Sequence, residues 1–265
     1  MTRRGRTPDR RLLERPGGPL EWFSDGEGHA ILLVPSLGRG AEDFDGIVPM
    51  LTTAGHRVLR MEPRGIGASA PMRDADSIHD IAADLAAVVE SAGGAPVVVA
   101  GHAAGNWPAR MLAHDRPDLV RGVAMLAAVT GTGTRGEISA AINGSFDPSL
   151  PDQERLRNLR LAYFAPGHDA SVWLPGWFPA VARAQRRARD NTTDTGWLRA
   201  AERHSLLYLA AADDAIAPPP SLDDLRAALG PRVTRVVVPD AGHALLPEQP
   251  RAVADALLAF AAALP

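Results

Sequence analysis

The 265-residue chain contains no cysteine. This absence excludes disulfides, thiolate metal ligands and a cysteine nucleophile together, and it is compatible with a cytoplasmic protein. No apolar run approaches the roughly 18 residues that span a bilayer. With 28 basic and 31 acidic residues, the net charge of −3 provides no electrostatic attraction to nucleic acid or to an anionic membrane. We therefore expect neither a nucleic-acid partner nor a membrane partner.

Motifs that bind metals or nucleotides are also missing. The eight histidines show no paired-ligand spacing such as H-E-x-x-H, and no G-x-G-x-x-G opens a helix after the first strand. We therefore expect no metal and no cofactor. Nothing in the sequence indicates an oligomeric state.

Short apolar runs rich in Val, Ile and Leu alternate with segments of helical periodicity. The runs are nearly continuous, as in strands that are covered on both faces, and the alternation predicts a mostly parallel α/β sheet. The predicted strands are 29–34, 57–61, 96–100, 122–126, 205–210 and 233–238, and the predicted helices are 78–92, 104–114, 221–229 and 249–263. Residues 12–23, broken by Pro16-Gly17-Gly18, are a candidate antiparallel edge hairpin.

One section interrupts this alternation. Residues 130–203 contain no convincing buried strand, but they contain helical stretches at 154–164 and 177–189 and several aromatic residues: Phe164, Trp173, Trp177, Phe178 and Trp197. One interpretation is a helical insertion that packs its own small core. The other is a cap whose aromatic side chains line an apolar pocket above the sheet. The predicted division is a core of 1–129 and 204–265 with a cap of 130–203.

The stretch VVVAGHAAGNW, residues 97–107, predicts a strand, a tight turn and a helix. In such a frame G-x-S-x-G carries a serine nucleophile. Here the position of that serine is occupied by Ala103, which has no lone pair with which to attack.

Two further loops follow predicted strands. Asp214 lies in LYLAAADDAIAPPP, and the stiff run Pro218–Pro220 favours a role for it other than capping the next helix. His243 lies 29 positions later, in the glycine-containing loop of VVVPDAGHALLPEQP. The two loops are expected at one edge of the sheet, where a carboxylate can orient a histidine base.

Taken together, these segments resemble the α/β-hydrolase superfamily over nearly the whole chain. Four segments carry the resemblance, in the family order: ILLVPSLGRG (31–40), EPRGIGAS (62–69), GHAAG (101–105), and the pair Asp214 and Gly242-His243. The departures are Ala103 in place of serine, Glu62 in place of aspartate and Pro35-Ser36 where most members have His-Gly.

The resemblance implies an α/β-hydrolase fold with a mostly parallel eight-stranded sheet flanked by helices and a helical cap insertion. It implies that Asp214 orients His243 as the base and that backbone N–H groups of Leu37 and Ala104 form an oxyanion hole. The implied substrate is a small, largely apolar carbonyl compound, an ester or a lactone. The candidate substrate-binding residues are Ser36, His102, Trp107, Phe164, Trp173 and Trp177.

Ala103 leaves three explanations open: an engineered Ser→Ala replacement, a natural member without the serine, or a vacancy that another residue such as Ser36 fills. A His243–Asp214 dyad with an oxyanion hole can activate water or abstract a proton. The function classes are therefore an esterase or lactonase, a non-hydrolytic lyase or cyclase, and a small-molecule binding protein on the same scaffold. A binding protein has no need of both His243 and Asp214.

Overall fold

The structure is a computed structural model that describes residues 9–130, 134 and 136–265. Its eight strands are β1 (Asp9–Leu13), β2 (Leu20–Asp25), β3 (Ala30–Val34), β4 (Arg57–Met61), β5 (Val97–His102), β6 (Val120–Leu126), β7 (Ser205–Ala211) and β8 (Val233–Val238). The α-helices are α1 (Val48–Thr53), α2 (Ile78–Ser91), α3 (Asn106–Asp115), α4 (Gly136–Ser145), α5 (Asp152–Ala162), α6 (Pro179–Asn191), α7 (Leu222–Leu229), α8 (Leu245–Glu248) and α9 (Pro250–Ala263).

All eight strands belong to one sheet with the order β1-β2-β4-β3-β5-β6-β7-β8. The pairs β1–β2 and β2–β4 are antiparallel, and every other pair is parallel. The predicted fold class is therefore confirmed. The candidate hairpin is the pair β1–β2, which runs further in both directions than the prediction.

Helices cover both faces of the sheet. Along β3, Leu32 and Val34 belong to one apolar core, which includes α2, α3 and α7. Ile31 and Leu33 belong to the core on the opposite face, which includes α1 and α9. Successive side chains of a strand point to opposite faces, so burial on both sides requires apolar residues throughout. This explains why the runs in the sequence are continuous.

Helix capping decides where two of the helices begin. Ser77 and Asp80 form a capping box at the start of α2, which satisfies N–H groups that have no partner within the helix. The Ser221 hydroxyl accepts a hydrogen bond from the Asp224 N–H at the start of α7. Because Ser221 caps α7, Asp214 is left for another role.

Residues 130–203, called here the cap segment, lie between β6 and β7. The described residues of this segment form α4, α5 and α6 with short 3₁₀ turns and no strand. They bury their own apolar cluster, which includes Leu159, Phe164 and Trp173. The helix α4 is absent from the sequence prediction, as is the short helix α1. No helix among the described residues is long and apolar enough to cross a membrane.

Candidate active site

The loops that follow β3, β5, β7 and β8 meet at one edge of the sheet. Val34, at the end of β3, lies opposite Gly101 of β5, and Ala211, at the end of β7, lies opposite Val238 of β8. Ligands of parallel α/β sheets bind at the carboxyl ends of the strands. The register therefore brings the four predicted loops together.

His243 and Asp214 form a buried pair at this edge. His243 Nδ1 lies 2.9 Å from Asp214 Oδ2 and 3.1 Å from Oδ1, and each residue is only 3% exposed. Asp214 Oδ1 also accepts hydrogen bonds of 2.8 Å from the N–H groups of Ile216 and Ala217. An ionised carboxylate is an acceptor only, so Nδ1 of His243 donates and its Nε2 is left available for a ligand.

The turn after β5 depends on its two glycines. A Cβ atom on Gly101 would lie 2.4 Å from the Gly105 carbonyl oxygen, and one on Gly105 would lie 2.4 Å from the Val34 carbonyl oxygen. Between them, Ala103 adopts a left-handed φ of 45°, which costs an L-residue about 1–2 kcal/mol. The spacing of the glycines is therefore a steric requirement, and Ala103 is held in a strained conformation of the kind that functional sites retain.

The loop after β3 presents a candidate oxyanion hole. The Arg39 N–H donates to the Ser36 carbonyl, and this turn places Gly38 at a φ of 64°. The Leu37 N–H has no acceptor among the described residues. Ala104 is the second residue of the 3₁₀ turn 103–105, where N–H groups precede the first helical hydrogen bonds. Both N–H groups are thus placed to bind an anionic oxygen.

A cleft of about 320 Å³ lies between the sheet edge and the cap segment, within the usual size range of small-molecule sites. Its sheet wall includes the predicted residues Ser36, Leu37, Ala103, Ala104, Trp107 and His243. Its cap wall includes Ile142, Phe146, Tyr163 and Arg186. The arrangement brings the His243–Asp214 pair, the candidate oxyanion hole and an apolar surface to one cleft.

Three predicted pocket aromatics do not line this cleft. Phe164, Trp173 and Trp177 pack with one another inside the cap segment, with Trp173 ring centroids 5.5 Å from Phe164 and 5.8 Å from Trp177. The Arg39 guanidinium lies 4.8 Å from each tryptophan ring, so these rings surround a buried cation and not a ligand. The structure therefore places these three candidates in the apolar cluster of the cap segment and outside the lining of this cleft.

The aromatic residues that do line the cleft are Trp107, Phe146 and Tyr163. Trp107 is among the candidates from the sequence, whereas Phe146 and Tyr163 are not. Tyr163 directly follows α5 and is adjacent to Phe164. The sequence feature that could have identified it is this pair of aromatic residues, of which one faces the cleft and the other packs inside the cap segment. Phe146 directly follows α4, which was itself not predicted.

His102 is a fourth candidate residue that lies outside the lining of this cleft. It is fully buried, and its Nε2 donates to the His243 carbonyl oxygen at 2.9 Å. Its Nδ1 has no hydrogen-bond partner among the described residues, and burial lowers its pKa to about 3. His102 is therefore neutral with its proton on Nε2, and it supports the His243 loop without reaching the cleft.

Glu248 also supports the His243 loop and carries no motif that could have identified it. Its carboxylate accepts hydrogen bonds from the Ala165 N–H at 2.6 Å and from the Gly242 N–H at 2.7 Å. Burial raises the pKa of this carboxyl group. Glu248 therefore joins the cap segment to the loop that carries the histidine. No group of three or more His, Cys, Asp or Glu side chains that could hold a metal ion occurs in the described part of the chain.

Comparison with known proteins agrees with this geometry. Residues 31–256 match the alpha/beta hydrolase family, so the chain belongs to that family. It is 25% identical over 280 residues to a Mycobacterium tuberculosis protein designated non-heme bromoperoxidase BpoC, covering 92% of this chain and 98% of that protein.

Two solved structures show the same fold. The crystal structure of BpoC from Mycobacterium tuberculosis H37Rv aligns with a TM-score of 0.76 at 26% identity, covering 92% of this chain and 95% of that one. A thermophilic esterase from Thermogutta terrifontis aligns with a TM-score of 0.76 at 21% identity, covering 96% and 98%. The second likeness concerns the fold alone.

Proposed function

We propose that the chain is an enzyme that acts on a small, largely apolar carbonyl compound, an ester or a lactone, with His243 as the general base. The observation that carries the proposal is the buried His243–Asp214 pair, 2.9 Å apart, beside a cleft that Ala103, Leu37 and Ala104 also line. We assign residues 130–203 the role of a cap over this site.

The proposed reaction uses water as the nucleophile. Ala103 cannot form an acyl-enzyme, because its side chain has no lone pair. His243 Nε2 takes a proton from water as the water oxygen attacks the carbonyl carbon, and Asp214 stabilises the resulting imidazolium. The N–H groups of Leu37 and Ala104 stabilise the negative charge on the carbonyl oxygen. The carbonyl double bond then re-forms and the bond from its carbon to the alkoxy oxygen breaks, while the imidazolium gives its proton to that leaving oxygen. The products are an acid and an alcohol from an ester, or a hydroxy acid from a lactone.

Ser36 is a candidate substrate-binding residue in this proposal. It lines the cleft, and its hydroxyl has no hydrogen-bond partner among the described residues. A hydroxyl can both donate and accept, so it suits a polar group of the substrate next to the oxyanion hole.

A lyase or cyclase is the second candidate, and Ala103 is the observation that favours it. The same base can abstract a proton from a carbon next to a carbonyl, and the oxyanion hole stabilises the enolate that forms. Turnover in isotopically labelled water distinguishes the two. Hydrolysis incorporates solvent oxygen into the acid product, and elimination or cyclisation does not.

The first experiment replaces His243 by alanine and measures turnover of a panel of short esters and lactones. His204 provides the control, because it is also buried and its ring is also hydrogen-bonded, to the Ala113 carbonyl, but it lies outside the cleft lining. We expect H243A to abolish turnover and H204Q to retain it. Equal, measurable turnover by the wild type and H243A would exclude the proposed base. No turnover of any ester or lactone by the wild type would favour a binding protein.

The second experiment restores the family hydroxyl with Ala103→Ser and uses para-nitrophenyl acetate. We expect a burst of para-nitrophenol and an acetylated protein by mass spectrometry, because the base and oxyanion hole are already in place. A folded A103S protein without esterase activity would instead show that the site is not arranged for acyl transfer. Comparison with the gene's own codon at position 103 decides whether the alanine is natural.

A further inference from the structure

The cap wall of the cleft carries an isolated positive charge. Arg186 of α6 lines the cleft, and the described lining residues include no aspartate or glutamate. A guanidinium stays protonated at any pH at which proteins are folded. The cleft therefore presents a permanent cation on the wall opposite the sheet edge.

Neutral groups hold Arg186 in place. Its Nη2 donates to Asn143 Oδ1 at 3.2 Å, and its guanidinium lies 5.6 Å from the centre of the Phe146 ring. No carboxylate among the described residues is within ion-pair distance of it, whereas its neighbour Arg187 pairs with Asp74 at 2.9 Å. Most of the five N–H donors of Arg186 are therefore free to bind a ligand.

Tyr163 supplies a second donor on the same wall. It is only 6% exposed, it lines the cleft, and its hydroxyl has no hydrogen-bond partner in the described part of the chain. Its ring centroid lies 5.7 Å from that of His243. The positive charge of Arg186 acts on this hydroxyl by opposing the rise that burial causes in its pKa. Tyr163 thus lies next to the proposed base and lines the same cleft as Arg186.

We propose that the substrate of this site is a carbonyl compound that also carries a carboxylate, and that Arg186 and the Tyr163 hydroxyl bind this carboxylate. The inference rests on the proposed function, which places the reacting carbonyl at His243. A planar guanidinium matches a carboxylate with two parallel hydrogen bonds, and a low-dielectric cleft strengthens that attraction. The rest of the substrate contacts the apolar lining.

The test measures binding by calorimetry in the H243A background, so that turnover does not interfere. The probes are monomethyl glutarate and methyl valerate, which differ by a carboxylate in place of a methyl group. We expect the anionic probe to bind about 10-fold or more tightly, a preference of the size of one charge-assisted contact, and to lose most of that preference in about 0.5 M NaCl.

Substitutions then assign the preference to its residues. Arg186→Gln should remove it, Arg186→Lys should retain part of it, and Tyr163→Phe should weaken it. Arg183→Gln is the matched control, because Arg183 is an exposed arginine on the same helix outside the cleft lining. We expect it to leave the preference unchanged. Thermal melting verifies that each variant is folded. If R186Q is not folded, the comparison is made between the wild type and R186K.

The outcomes separate this inference from the proposed function. The inference is overturned if monomethyl glutarate binds no better than methyl valerate, fails to bind at millimolar concentration, or keeps its advantage in folded R186Q. Turnover of para-nitrophenyl valerate and para-nitrophenyl hemiglutarate at equal rates would also overturn it while the proposed function stands. An Arg186-dependent preference without turnover of either ester supports the inference and contradicts the proposed function.

Discussion

The sheet wall and the cap wall of the cleft hold their polar groups in different ways. On the sheet wall, backbone N–H groups hold a side chain, because Ile216 and Ala217 both donate to the Asp214 carboxylate. Near the cap segment the roles are reversed, and side-chain oxygens of single residues accept hydrogen bonds from the backbone N–H groups of distant segments. Gln185 Oε1 accepts from the Gly38 N–H at 2.8 Å, and Glu248 bridges two N–H groups from different segments.

This difference separates the residues proposed to act in turnover from those that hold the cap segment to the core. The geometry of the sheet wall follows from strand register and close backbone packing, so a single side chain there can be changed while its surroundings remain in place. The cap segment depends on a few long buried side chains that reach across to the core. Substitutions on the sheet wall should therefore affect turnover most, and substitutions at the cap contacts should affect stability most.

Removing the charge of Asp214 is the largest expected effect. Asp214→Asn keeps the shape of the side chain but no longer stabilises an imidazolium or holds the required tautomer of His243. We expect kcat to fall by about 10³-fold or more, with a small change in melting temperature. Asp213→Asn is the control, since Asp213 is exposed. Equal losses in the two variants would contradict the assigned role.

Breaking the contact between Arg39 and Pro175 tests how the cap segment is held to the core. Arg39 and Asp43 form an ion pair whose side chains are 4% and 2% exposed, and Arg39 Nη1 donates to the Pro175 carbonyl of the cap segment at 2.8 Å. Arg39→Met leaves Asp43 buried without its partner. We expect a loss of about 3 kcal/mol in the free energy of unfolding, measured by urea denaturation.

Two control variants show whether the loss of stability in R39M comes from the unpaired buried charge of Asp43. The double variant R39M/D43L removes both charges and should recover much of the loss. Arg199→Met breaks an exposed pair with Glu202 and should change stability by less than about 1 kcal/mol. If R39M and R199M have the same stability, Arg39 does not hold the cap segment to the core.

Gly105→Ala tests the close packing of the sheet wall. The added Cβ would lie 2.4 Å from the Val34 carbonyl oxygen and 2.5 Å from that of Pro35. We expect a destabilisation of about 2 kcal/mol, because the turn and the loop after β3 must move apart. Gly46→Ala is the control, since its Cβ would meet nothing nearer than 3.8 Å. Equal melting temperatures for the two variants would show that the turn tolerates a side chain.

The last prediction concerns His102 and pH, where the effect expected for each pH unit is smaller than the effects above. Its pKa is about 3 in the folded chain against an ordinary value of 6.5, so between these values the unfolded chain binds a proton that the folded chain does not. Stability therefore falls as pH decreases through this window, by about 1.4 kcal/mol per pH unit. Urea denaturation at several pH values should give a steeper loss of stability in the wild type than in His102→Gln, and the difference between the two slopes is the contribution of His102. Parallel slopes would mean that His102 is charged in the folded chain.

Much of the sheet wall could be predicted from the sequence. Continuous apolar runs indicated the central strands, because a strand buried on both faces has no polar positions. The glycine spacing around Ala103 indicated the turn, because only glycine permits such close contact between backbone atoms. Pro218–Pro220 indicated that Asp214 does not cap α7, and the structure assigns that cap to Ser221.

The cap wall was far less predictable. Phe164 and Tyr163 are adjacent aromatic residues, and which of them faces the cleft depends on how α5 ends and packs. The contacts made by Arg39, Gln185 and Glu248 join residues that are distant in the chain, and no local pattern marks such partners. His102 lies within the recognised turn, but its orientation away from the cleft follows from the position of the His243 loop.

The sequence by itself determined where the central strands lie along the chain, the glycine-dependent turn, and the positions of Asp214 and His243 in loops that follow strands. These features follow from periodicity and from local steric limits, which act between residues close in the chain. Only the tertiary structure decided that Phe146, Tyr163 and Arg186 form the cap wall while Trp173 and Trp177 enclose Arg39. Which face of a cap helix meets the cleft depends on packing between distant segments, where several aromatic residues compete for the same buried space.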